Sequence, residues 1–235
     1  MFESIYSFLH QYYKELILLF IISYLIGSIN FSIIVTKLKK TQDIRTIGSG
    51  NAGFTNVLRS VGIGPAIITF AGDFIKGILA VYLSRLIIQI NPLAVNNMFI
   101  LQYSAYLSGL ACLLGHLYPC FFKFKGGKGI LTSWAVTLLI DYRIFFIMIS
   151  IFLVVLIISK VVSLGSLAAA TSYPIITFLV TYFLDCDKGC NITYVLMCTG
   201  VSFIVGVIVL YKHIPNIKRL LNGTEKKISR KKKGE

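Results

Sequence analysis

Apolar residues run through this chain in long unbroken stretches, separated by short polar segments rich in glycine. The stretches are continuous, not alternating, so they predict helices and exclude barrel strands. Seven of them approach the roughly 20 residues that carry a helix across a bilayer: 16–36, 64–88, 99–119, 127–140, 144–160, 165–184 and 193–211. The fourth is short. A single helix over 130–160 would run to about 46 Å, against a hydrocarbon core of about 30 Å, and would place Asp141 and Arg143 near its middle. A hairpin turning at Asp141 keeps both charges out of lipid. The predicted fold is all-α integral membrane, with seven transmembrane helices in a single polytopic domain over 1–235 that ends in a basic tail, 226–235.

Composition supports this reading. Of 235 residues 56% are hydrophobic and 14% charged, too few charges to cover a soluble globule. The net charge of +14 would suggest nucleic acid in a soluble protein. Here it sorts by membrane side. With the N-terminus outside, the inner segments carry eighteen Lys and Arg, and the outer ones only Lys14, Arg143 and Lys188. That bias predicts N-terminus out and C-terminus in. The tail "KKISRKKKGE" reads as an anchor to lipid headgroups, and no nucleic-acid partner is expected. The first apolar run lacks a basic flank and a small-residue cleavage pattern, so it reads as a span and not a signal peptide. Five Cys show no CxxC spacing; Cys186 and Cys190 share one short loop and could pair only if that loop lies outside, but the favoured reading is small apolar side chains or a free thiol. Three scattered His give no ligand cluster, so neither metal nor cofactor is predicted.

This topology puts 41–60, 121–129, 162–166 and 213–225 on one inner face, and these are the segments richest in glycine and polar donors. The segment "IGSGNAGFTNVLRS" holds Gly48, Gly50 and Gly53, which let backbone N–H groups close around an anion. Ser49, Asn51, Thr55 and Asn56 add donors, and Arg59 adds a fork suited to phosphate. It is not a P-loop, since GxxxxGK[ST] is absent. "FKGGKG" sets Gly126, Gly127 and Lys128 at the start of a helix, where N–H groups attract anions. His116 lies at the inner end of the third span. Asp73 and Lys76, three residues apart in the second span, read as an intrahelical pair orienting the inner loops. His213 and Asn216 share a helix face only if the last span continues past Pro215.

The segments "GSGNAGFTNVLR", "GHLYPCFFKFKGGKG", "VSLGS" and "HIPNIKRLLNGTE" together resemble the acyl-phosphate:glycerol-3-phosphate acyltransferase (PlsY) family of bacterial inner membranes. The resemblance covers nearly the whole chain; Phe54 stands where the family usually has Ala. It implies a seven-helix enzyme of the bacterial cytoplasmic membrane. That enzyme moves a fatty acyl group from acyl phosphate to the 1-hydroxyl of glycerol 3-phosphate and makes lysophosphatidic acid for phospholipid synthesis. It also implies that Ser49, Arg59, Lys128, His213 and Asn216 contact the phosphate or acyl-phosphate groups, with Glu225 supporting them. The substrate-binding set is then Gly48, Gly50, Asn51, Gly53, Thr55, Asn56, His116, Gly126, Gly127, Ser163, Ser166, Arg219 and Glu225. The expected partners are the two phosphorylated substrates and membrane lipids. No HxxxxD dyad is present: Phe121 follows His116 at that spacing, Lys218 follows His213, and His10 with Glu15 lies on the outer side. Two alternatives remain open from sequence: a transporter of a phosphorylated metabolite, and an acyltransferase drawing on acyl-CoA or an acyl carrier protein.

Overall fold

The computed structural model describes residues 2–92, 98–185 and 192–227. Helices account for nearly all of them: α1 Phe2–Ser28, α2 Phe31–Lys40, α3 Phe54–Ser60, α4 Ile63–Ile88, α5 Met98–Leu117, α6 Ile130–Ile140, α7 Tyr142–Ser159, α8 Val162–Val180, α9 Ile192–Lys212 and α10 Ile214–Leu221. Six stretches are long and apolar enough to cross a membrane: His10–Lys40, Ile63–Ile88, Phe99–Phe122, Tyr142–Ser159, Val162–Asp185 and Ile192–Lys212. The fourth expected span is the 11-residue helix α6, about 16 Å long at 1.5 Å per residue and short of the apolar core by itself. The expected hairpin is present. Asp141 ends α6 and caps α7, accepting from the Arg143 backbone N–H at 2.8 Å, while Arg143 also reaches Asp185. Cys186, Cys190, Lys188 and most of the basic tail lie outside the described residues.

Two expectations need correction. The first span does not run unbroken over 16–36. Helix α1 starts well before residue 16, ends at Ser28, and gives way to α2 across Ile29 and Asn30. The Asn30 side chain caps α2, accepting from the Ile33 N–H at 3.1 Å. Hydropathy cannot register this break, because the residues on both sides of it stay apolar. Nor is 162–166 a connecting segment between spans. The chain reverses at Lys160, in left-handed conformation at φ 58°, and 162–166 form the first turn and a half of α8.

Helix α1 packs on α4 and α5, α4 on α5 and α6, and α8 on α7 and α9, with α5 closing the ring onto α9. Small residues permit the closest approach. A Cβ at Gly27 would run into the Cys112 carbonyl, and one at Gly115 into the Tyr24 carbonyl, so α1 and α5 meet backbone to backbone. Polar bonds across the helices register the same contact: Ser23 and Ser108 hydroxyls lie 2.7 Å apart, and Ser108 donates to the Ala80 carbonyl at 2.7 Å. The main core gathers Tyr106, Leu113, Leu117, Val136, Ile144, Tyr173, Val195 and Val205 between α5 and α9.

Candidate active site

The site begins with the break in α1. Ending a helix at Ser28 leaves carbonyls without intrahelical donors. Lys76 of α4 supplies them: its Nζ donates to the Gly27 carbonyl at 3.1 Å and the Ile29 carbonyl at 2.9 Å. The same ammonium sits 2.9 Å from Asp73 Oδ1 and 2.9 Å from His116 Nδ1. All three side chains are buried. Asp73 and Lys76 thus form the expected i, i+3 pair, and His116 completes a buried triad.

The opening loop is organised by Asn56. Its Nδ2 shares two protons among the carbonyls of Ile44, Ile47 and Asn51, each 3.0–3.1 Å away, and its Oδ1 accepts from the Ser49 N–H at 2.9 Å. Gly48 has φ 63°, and a Cβ there would strike Asn56 Oδ1 and Ser60 Oγ. Only glycine meets both conditions. Arg45 ties this loop to the next. Its Nε and Nη2 clasp Asp43, while Nη1 donates to the carbonyls of Phe122 and Lys125 at 2.7 and 2.9 Å.

The glycine turn folds back on the end of α5. Gly126 N–H donates to the Leu117 carbonyl at 3.1 Å and Gly127 N–H to the His116 carbonyl at 3.2 Å. A side chain at Gly127 would collide with the Ala52 carbonyl and His116 Nε2, so the opening loop, the glycine turn and the triad meet at one point.

Next along the chain, Lys128 Nζ donates to Asn216 Oδ1. Asn216 Nδ2 donates to Glu225 Oε1 at 2.7 Å, which fixes the amide's orientation. Ser163 donates to the same oxygen at 2.7 Å, and Arg219 Nε to Glu225 Oε2 at 2.6 Å. Burial and the neighbouring Arg219 charge pull the Lys128 ammonium down to about 8, against the attraction of Glu225. Burial alone would raise Glu225, but hydrogen bonds from Ser163, Asn216 and Arg219 outweigh it and hold the carboxylate ionised. Burial pushes His213 down to about 4, so its ring is neutral at pH 7. Its Nδ1 lies 2.8 Å from the Val209 carbonyl, which only accepts; the proton therefore sits on Nδ1 and leaves Nε2 a lone pair. Pro215 does interrupt the last span. Helix α9 stops at Lys212, and α10 restarts with His213 as its cap and Asn216 facing inward.

A family model described as glycerol-3-phosphate acyltransferase matches residues 17–223. Relatives named glycerol-3-phosphate acyltransferase include those of Alkaliphilus metalliredigens (40% identical, 92% of this chain and 97% of the relative) and Bacillus subtilis (39%, 90% and 96%). The chain belongs to the glycerol-3-phosphate acyltransferase family. Crystal structures of PlsY (YgiH), an integral membrane glycerol 3-phosphate acyltransferase, are similar to it throughout. The glycerol 3-phosphate form aligns with TM-score 0.72 at 31% identity, over 91% of this chain and 96% of that one. The lysophosphatidic acid form aligns with TM-score 0.70 at 30% identity, over 91% and 95%.

In this acyltransferase the residues singled out from sequence fall into different settings. Lys128, Asn216, Glu225, Ser163 and Arg219 form one continuous network with His213 beside it. Asn56, His116, Gly126 and Gly127 spend their polar groups holding loops together. Ser166 donates to the Val162 carbonyl of its own helix at 3.0 Å and joins neither group. Ser49 and Arg59 are exposed, and no described side chain pairs with the Arg59 guanidinium. Gly50, at φ 71°, and Gly53, Asn51 and Thr55 line the loop between them, but the Ser49, Gly50 and Gly53 N–H groups are bonded within the loop and do not close around an anion as expected. Sequence reasoning missed Arg45. Its only local signal is the Asp43-x-Arg45 spacing, which Asp141-x-Arg143 repeats with the same fork on an aspartate cap.

Proposed function

We propose that this acyltransferase moves a fatty acyl group from acyl phosphate to the 1-hydroxyl of glycerol 3-phosphate, releasing lysophosphatidic acid and inorganic phosphate. The observation that carries this reading is the network from Lys128 to Glu225, set against a loop whose Ser49 hydroxyl and Arg59 guanidinium point free of the protein. Both substrates are phosphate esters or anhydrides, and the site offers cations and amide donors to each. Lys128 and Arg59 hold phosphates. The Gly48–Gly50 turn presents the Ser49 hydroxyl to one.

The hydroxyl oxygen attacks the acyl carbonyl, the carbon–oxygen ester bond forms, and the acyl–phosphate bond breaks as phosphate departs. A neutral His213 with a free Nε2 suits a hydrogen bond from the attacking hydroxyl better than full proton abstraction. The proton passes instead to a phosphate oxygen of the substrate. Acyl phosphate is already activated, so positioning and charge stabilisation carry the remainder.

The enzyme works at the cytoplasmic face of the bacterial inner membrane, N-terminus out and C-terminus in, with α6 and the glycine turn together counting as the fourth of seven crossings. Eighteen inner cations against three outer ones support that orientation. The deciding experiment is acyl transfer by purified protein given acyl phosphate, acyl-CoA or acyl carrier protein in turn. Turnover with acyl phosphate alone is expected; equal turnover with a thioester donor would refute the assignment.

A further inference from the structure

The triad in the membrane has a geometry that a simple ion pair does not need. An ammonium has three N–H donors, and Lys76 Nζ has four neighbours: the carbonyls of Gly27 and Ile29, Asp73 Oδ1 and His116 Nδ1. His116 Nδ1 lies 3.6 Å from Asp73 Oδ1, too far for a hydrogen bond. Lys76 can only donate, so His116 Nδ1 accepts from it and the imidazole proton resides on Nε2. Nε2 is the atom packed against Gly127 and beside the Ala52 carbonyl. The backbone of His116 grips the same glycine through its carbonyl. One residue further, Lys128 enters the phosphate network.

We propose that Lys76 is a positioning residue for the reaction: acting through His116, it holds the Gly126–Gly127 turn and thereby places Lys128 at the reacting phosphate. The proposal rests on the acyl-transfer reading of the site given above. It reassigns His116 from substrate contact to relay, and gives the broken first helix a part in the chemistry. The ammonium that satisfies the helix end is the one that orients the imidazole.

The test couples the two ends. Asp73→Asn combined with Lys76→Met removes the ammonium without stranding a buried carboxylate, and is compared with Lys128→Ala and with all three substitutions together. The paired variant should raise KM for the phosphate substrates about tenfold with a smaller change in kcat. On the Lys128→Ala background it should add less than twofold, because the group it positions is already gone. His116→Ala leaves the ion pair and the bonds to the Gly27 and Ile29 carbonyls in place and should show the same coupling, so the question survives if the paired variant fails to fold. Losses that multiply on the Lys128→Ala background, or a His116→Ala enzyme with wild-type KM, would overturn the proposal while the acyl-transfer reading stood. A wild-type protein inactive with every donor would overturn that reading and the proposal with it.

Discussion

Lys128 is the residue on which charge and geometry converge. Its ammonium is held near 8 by burial and by Arg219, far below the usual lysine range. The charged form therefore dominates below pH 8 and is lost above it. If that charge grips phosphate, kcat/KM should fall about tenfold per pH unit above 8, and the limb should report the free enzyme. Lys128→Arg keeps its charge throughout and should move the limb out of the measurable range, at reduced turnover. Lys128→Ala should lose roughly 100-fold in kcat/KM, the usual effect of removing one donor to a developing charge. At Glu225 the prediction concerns architecture. Glu225→Gln keeps the size but offers Arg219 and Asn216 a neutral partner, so turnover should fall at least about tenfold with little change in thermal stability. A wild-type rate in that variant would place Glu225 outside the working network.

At the scale of elements, the opening loop stands or falls with Asn56. Asn56→Ala removes the amide that ties the Ile44, Ile47 and Asn51 carbonyls together and the acceptor for the Ser49 N–H; each carbonyl keeps one backbone donor, so the cost is the lost cross-ties, about 1 kcal/mol per bond. Substrate protection of the loop against proteolysis should disappear, and activity with it. Gly48→Ala should be as damaging, since it meets both a left-handed backbone and two oxygen atoms. These features were legible in the sequence because they are local: three glycines within six residues, an Asp and a Lys one turn apart, a proline inside the last motif. What escaped was long-range. Arg45 finds its carbonyl partners 77 and 80 residues away, and His116 finds Lys76 across 40. The break after Ser28 hid for a different reason. Its cause is an asparagine cap and a lysine from another helix: one Asn among apolar neighbours barely lowers the average of the stretch, and the lysine lies outside it.

For the whole molecule the decisive matter is sidedness. Single cysteines at Thr46 and Asn222, both exposed, should react with an impermeant thiol reagent from the cytoplasmic side alone in a cysteine-free background. Labelling of the two from opposite sides would separate the opening loop from the tail and dismantle the site. Helix α6 sets the remaining dimension. If its Asp141 end lies at the outer surface, as proposed, an 11-residue rod stops roughly 14 Å short of the inner one. In the proposed orientation Lys128, just before the opposite end of α6, would lie below the inner surface, where its charge would need a water-filled recess. On the acyl-transfer reading, such a recess would admit a polar metabolite from the cytosol and a greasy tail sideways from the leaflet, so that neither would have to leave its own solvent for the two to meet.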